Sequence, residues 1–257
     1  MTDRMRCIGP GKYLGHESTT LEGRRIERHY GGVVGTVPTL LARCNQNEGI
    51  IPSEATMRKL GIRNFERDLE FLNSSWDTST LSATRGENVK VILPYEKDSR
   101  TLTEAARFGL GLINADEDLV NKGVNLDING RWEKLEGSGV YTRKRNDWFV
   151  GDLVGLDSDM TKEQAMKCPI LLTKLGHPDY VDTKFARSTD EVAEIIGKTF
   201  ELGEQKRGVK TMMGQYLSDI SDKGVLKMWV LKDLYLRVRS GAGYRLDGAE
   251  GLIAFEK

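Results

Sequence analysis

The residues best suited to chemistry fall into two groups, acidic and basic. Asp152, Asp157 and Asp159 cluster near a strand end. Carboxylates so grouped are what a hydrolase uses to hold a hard divalent cation and activate water. The glutamate-x-lysine partner that a metal-dependent nuclease would add is missing, because in Trp132–Gly137 (WEKLEG) the lysine stands in the wrong place. His16, His29 and His177 lie far apart with no metal-ligand spacing. GxSxG and HExxH are absent, and GPGKYLGH lacks the GxxxxGK[ST] order of a phosphate loop. The sequence therefore predicts no catalytic residue, no metal and no cofactor, with a nuclease the least favoured reading.

The basic residues are more suggestive. Arg63, Asn64 and Arg67 share one predicted outward helix face, and Arg85 and Lys90 flank a predicted hairpin tip. Further along, Lys206, Arg207 and Lys210 cluster, and Arg237, Arg239 and Arg245 follow in strand-prone text. Arginine pairs bidentately with guanine and asparagine with adenine, while lysine meets phosphate. Glu66, Asp68 and Glu70 oppose such contacts on the first face. Arg143, Lys144 and Arg145, set between Tyr141 and Trp148, have the cation–aromatic interleaving of single-strand binders, although a solvated turn explains them more simply. Overall charge does not decide the matter. Lys+Arg and Asp+Glu both number 38, so any attraction to a polyanion must be local.

The elements that would position these residues form a pattern. Residues 37–49 (VPTLLARCNQNEG) place Val37, Leu40, Leu41 and Cys44 on one helix face. Ser53 is a good N-cap for a short second helix, with Glu54 in its first turn and Ala55, Leu60 and Ile62 inward. Gly61 would turn the chain into a third helix over Arg63–Trp76, with Phe65, Leu69 and Leu72 inward. Two β-prone runs around Arg85-Gly86-Glu87-Asn88 then make a hairpin. The pattern recurs: Thr161 caps a stretch carrying Ala165, Cys168, Leu172 and Leu175, which Pro169 shortens or kinks. Ser188 or Thr189 caps a helix with Val192, Ile195 and Ile196 inward, and a third helix over Glu204–Gly224 aligns Val209, Met213, Leu217 and Ile220. The runs KMWVL, LYLRVRS, YRL and LIAFE would complete a wing.

Three helices followed by a β-hairpin resemble the winged helix-turn-helix superfamily, here in two tandem modules. The resemblance implies an α+β chain organised as an N-terminal basic, flexible arm (1–35), a first winged-helix module (36–96), a strand-rich connection (97–159) and a second module (160–257). The arm is dense in glycine and carries Arg24, Arg25, Arg28 and His29. The connection pairs a helix candidate at Thr101–Ile113 with strands signalled by Asn129-Gly130 and Ser138-Gly139. The resemblance also implies a double-stranded DNA partner, contacted by the basic residues above, and a regulator or a plasmid- or virus-type replication initiator, alone or as a homodimer. A protein-interaction scaffold built on tandem winged helices is the alternative. Cys7, Cys44 and Cys168, odd in number and without a CxxC pair, suit a reducing compartment. With no apolar run long enough for a bilayer, a cytoplasmic, non-membrane protein is expected.

Overall fold

The computed structural model describes residues 6–9, 12–21, 24–31, 52–63, 65, 76–95, 126–127, 129–147, 150–151, 159–217, 225–232, 239–242 and 252–255. The helices predicted at 37–49 and Thr101–Ile113, the inward Leu69 and Leu72, and Trp148 and Phe149 lie outside these residues.

The long strand β4 (Trp76–Arg85) and β5 (Asn88–Ile92) form the predicted hairpin, closed by an Arg85–Asn88 pair around Gly86-Glu87. On β5, Val89 and Val91 point to one face and Lys90 and Ile92 to the other, the period-two alternation of a strand. Both faces are covered, so all four are buried. Strand β7 (Val140–Lys144) pairs with β5, and β10 (Val225–Lys232) runs antiparallel to β4. One sheet thus takes strands from both segments expected to be separate winged helices. Beyond β10 come β11 (Arg239–Ala242), then β9 (Gln215–Leu217) and β8 (Val150–Gly151), the last two joined in parallel. The short β6 (Leu126–Asp127) also pairs β10.

Residues expected to form an irregular arm instead supply β1 (Arg6–Gly9), β2 (Lys12–Leu21) and β3 (Arg24–Gly31). Strand β3 is tied to β12 (Leu252–Phe255), which touches β4 at Asp77. The glycines that punctuate this text do not prevent pairing, because backbone N–H and C=O groups are satisfied across the ladder whatever the side chain.

Among the described residues, four helices cover one face. Helix α1 (Glu54–Arg63) starts as predicted, with Ser53 Oγ accepting from Thr56 N at 3.3 Å. It does not turn at Gly61, which is buried inside the helix. No described residue beyond Arg63 shows the predicted third helix; Phe65 lies in a turn. Thr161 and Gln164 form a capping box at α2 (Lys162–Ala165). Pro169 splits the predicted helix, opening α3 (Pro169–Leu175) at its first position, where its missing N–H costs nothing. Ala165, Cys168, Leu172 and Leu175 are buried, as the spacing predicts. Ser188 caps α4 (Thr189–Arg207), whose Val192, Ile195, Ile196 and Phe200 enter the same core as Val89, Val91 and Leu93.

The third helix predicted over Glu204–Gly224 is absent from the described residues 208–217, and Ile220 lies outside the described residues. Gly208, left-handed at φ 64°, stops α4, and Leu217 is buried in β9. Met212, bridged to Met160, lies against Gly203, where any side chain would collide with the methionine's sulfur and methyl. On the far face of the β4–β5 hairpin, Leu81, Ala83 and Ile92 are buried, as are Trp132 and Leu135 around a 3-10 turn (Asn129–Lys134). That turn replaces the hairpin expected at Asn129-Gly130. No helix among the described residues is long and apolar enough to cross a membrane.

Candidate functional site

A cleft of about 360 Å³ opens where the N-termini of α1 and α4 meet the end of β5. Ser53 and Ala55 contribute from α1, Leu93, Pro94 and Tyr95 from the chain leaving β5, and Ser188 and Glu191 from α4. Its remaining wall runs from Lys174 to Gly176 and from Lys184 to Arg187. Gly176 makes this wall possible. It ends α3 at φ 77°, and a Cβ there would lie 2.9 Å from the Phe185 carbonyl oxygen. Arg187 N donates to Gly176 O at 2.8 Å, holding the loop closed.

Beneath the cleft lies a network of ions shut off from water. Glu54, Arg58 and Lys174 have fully buried side chains. Glu54 Oε1 accepts from Arg58 Nε at 3.0 Å and Nη2 at 2.8 Å. Glu54 Oε2 lies 2.8 Å from Lys174 Nζ and accepts from Ser240 Oγ at 2.9 Å. Lys174 Nζ also donates to Ser240 Oγ at 2.8 Å, and Glu54 N donates to Thr80 Oγ1 at 3.1 Å. The carboxylate therefore joins α1, α3 and β11, and the backbone N–H of the same residue reaches β4. Burial alone would raise the Glu54 pKa, but Lys174 and Arg58 outweigh it and hold the carboxyl below its ordinary value. Burial pushes Lys174 down to about 8 against the attraction of Glu54, with Arg58 repelling it further.

At the rim a second acid is shared. Glu191 Oε1 accepts from Lys59 Nζ at 2.9 Å and from Arg187 Nη1 at 2.7 Å, while Arg187 Nη2 donates to Thr56 Oγ1 at 3.1 Å. Partial burial would raise Glu191, yet these bonds keep its pKa lowered. Lys184 stands over aromatic rings: its Nζ is 4.6 Å from the centroid of Tyr95 and 5.9 Å from that of Phe185. The two rings pack edge to face at 5.9 Å and 77°. The cleft thus combines a rigid floor, an aromatic wall and cations at its edge.

The structure scatters the residues predicted to meet nucleic acid. Arg63 ends α1 and is exposed, and Asn64, Arg67, Arg237 and Arg245 lie outside the described residues. Arg85 and Lys90 are engaged by the protein itself. Both lie over the Trp132 ring, at 4.8 and 4.9 Å. Arg85 pairs with Glu133 at 2.6 Å, and the buried Lys90 donates to the Trp132 and Leu135 carbonyls at 3.0 and 2.9 Å. Lys206 and Arg207 end α4, where cations complement the helix's negative pole, and Lys210 follows it, so none of them opens a recognition helix. Arg239 begins β11, paired with Lys232.

Arg143 of the predicted basic turn tip sits in β7, its guanidinium 5.9 and 5.5 Å from the rings of Tyr141 and Tyr180. Its Nε donates to Thr173 Oγ1 at 2.8 Å, and burial lowers its pKa. Of the predicted acidic cluster, Asp159 is 3.5 Å from Tyr216 Oη, and Asp152 and Asp157 lie outside the described residues. Among the described residues no group of three or more His, Cys, Asp or Glu is placed to hold a metal. Sequence reasoning missed the cleft entirely. Its one available signal was the density of Tyr, Lys, Phe, Arg and Glu in two separate stretches, which only the fold brings together.

No family model matches the chain, and no curated protein matches it. A solved structure concerning the accommodation of massive sequence variation in Nanoarchaeota by the C-type lectin fold is similar, with a TM-score of 0.58 and 12% sequence identity. The match covers 92% of this chain and 100% of that one. The winged-helix resemblance is overturned by this likeness, as are the DNA-binding, transcriptional and replicative roles that rested on it. Short helices with N-caps and a hairpin satisfy a winged-helix pattern locally, but their strands are shared in one sheet. At this identity the likeness is one of fold alone, and the fold is that of the C-type lectins.

Proposed function

We propose that this chain is a non-catalytic recognition protein, whose C-type-lectin-like frame holds a small ligand, or a protruding group of a larger partner, in the cleft between α1 and α4. The observation that carries this reading is the construction of the cleft. Its floor is fixed by the Glu54–Arg58–Lys174–Ser240 network and its rim by the Lys59–Glu191–Arg187 bridge. A site held by such contacts is preorganised, so binding loses little to ordering of side chains. Its volume lies near the lower end of the range typical of ligand pockets. The nanoarchaeal structure supports the reading in one respect. A fold that accommodates massive sequence variation suits a recognition scaffold, whose surface must differ from one target to the next. Of the sequence expectations, the protein-interaction scaffold comes nearest. The reading includes a cytoplasmic location, in keeping with the free, buried thiol of Cys168.

The test is a panel of acidic, neutral and basic fragments followed by amide chemical shifts. Hits should perturb Tyr95, Lys184, Ala186, Arg187 and Ser188 as one group. Hits that perturb another face, or a panel without hits, would refute the reading.

A further inference from the structure

The charges around the cleft are unequally committed. Glu54 is held by Arg58 and Lys174 beneath the floor, and Glu191, which lines the rim, by Lys59 and Arg187. Each already accepts from two cations, so neither is available to a ligand's positive group. Lys184 differs. It is exposed, makes no ion pair among the described residues, and rests on the faces of Tyr95 and Phe185. An ammonium on a ring face directs part of its three N–H donors at the ring and leaves at least one for another acceptor. The two capped helix N-termini at the same mouth, Ser53 of α1 and Ser188 of α4, add partial positive charge. The aromatic pair supplies apolar area beside these donors.

Resting on the recognition reading above, we propose that the cleft selects a small aromatic carboxylate. Its carboxylate is bound by Lys184 at the rim, and its ring lies against Tyr95 and Phe185. A carboxylate gains a charge-assisted hydrogen bond from Lys184 that a neutral or cationic ligand of the same shape lacks. A cationic ligand meets repulsion from Lys184, and the one carboxylate among the residues that line the cleft, Glu191, is already taken up by Lys59 and Arg187.

Three probes of one ring and differing charge test this: 4-hydroxyphenylacetate, 4-hydroxyphenylacetamide and tyramine. Dissociation constants are measured by amide shift titration on the wild-type chain and on Lys184→Met, which retains the apolar stem of this exposed side chain. The acid should bind at least about tenfold tighter than the amide, tyramine should bind weakest, and the acid's advantage should fall to about twofold in the variant. Equal binding of acid and amide, tighter binding of tyramine, an advantage that survives Lys184→Met, or no binding by any probe would each overturn the proposal. Amide binding in the cleft without an acid advantage would sink this inference while leaving the recognition reading standing. A cleft that answers to no member of the broader fragment panel would sink both.

Discussion

Removing Glu54 should cost far more stability than removing Lys174, although they are partners. In Glu54→Leu, the side chains of Arg58 and Lys174 and the hydroxyl of Ser240 lose an acceptor that supplies them with four contacts at 2.8–3.0 Å, all shielded from water. Breaking a buried ion pair from one side costs about 3–5 kcal/mol, because a charge stays buried without its partner. In Lys174→Met, Glu54 retains both Arg58 contacts and Ser240, and the buried ammonium that opposed folding is gone. The loss is then nearer that of a single charged hydrogen bond, about 1.5–3 kcal/mol, reduced by the desolvation recovered. Urea unfolding at pH 7, with equal m-values for the three chains, measures both. The double variant should cost less than the sum of the singles by about 1–2 kcal/mol, since the penalty of a stranded Lys174 disappears from it. If Lys174→Met costs as much as Glu54→Leu, or if Glu54→Leu costs under about 1 kcal/mol, Glu54 is not the hub of the network.

Three further outcomes follow from described features. Lys174 titrates near 8 in the folded chain against an ordinary 10.5, so between these values the unfolded chain holds more protons. Stability should therefore rise with pH across that window by up to about 1.4 kcal/mol per unit, and this increment, read by urea unfolding at pH 7.5 and 9.5, should be absent from Lys174→Met. Gly176→Ala combines a left-handed backbone with a Cβ 2.9 Å from Phe185 O. It should destabilise by about 1–3 kcal/mol and shift the amides of Phe185 and Arg187, and an unchanged spectrum would contradict the loop geometry. Deleting residues 1–31 removes the antiparallel partner of β12 and leaves it only the bridge to β4 at Asp77. Calorimetry should show a melting temperature lower by on the order of 10 °C, corresponding to a few kcal/mol in a chain of this size, whereas an unchanged transition would mean that the β3–β12 ladder contributes nothing.

What the sequence disclosed was local. Ser188 and Thr161 announced their helices because a cap acts within three residues, and Pro169 marked a break because its ring forbids the preceding turn. The Arg85–Asn88 hairpin was legible for the same reason. The errors arose where distant partners decide. Val209, Met213 and Leu217 repeat every four residues, as one helix face would, but Gly208 stops the helix and Leu217 goes to β9. Its place in the first turn marks Glu54 as an acid serving the helix dipole, whereas Lys174 and Ser240, remote in sequence, make it a core ion. Arg85 and Lys90 looked like wing cations because nothing nearby reveals that Trp132 takes them up. The strands from Arg6 to Gly31 lack apolar alternation, so only their pairing defines them. The cleft draws on three separate stretches of chain, which no spacing rule connects.

The ladder between β3 and β12 also sets the order in which the molecule can assemble. Ile26 lies opposite Phe255 and His29 opposite Leu252, so this part of the sheet cannot form until nearly all of the intervening chain has left the ribosome. Such pairings raise contact order, and loop-closure entropy must be overcome before they contribute any stability. Strands β1 to β3 can form a meander early, but β3 then waits with an unpaired edge for a partner that lies far along the chain. Closure by β12 is thus a late folding event, and until it happens that edge is open to pairing with other chains.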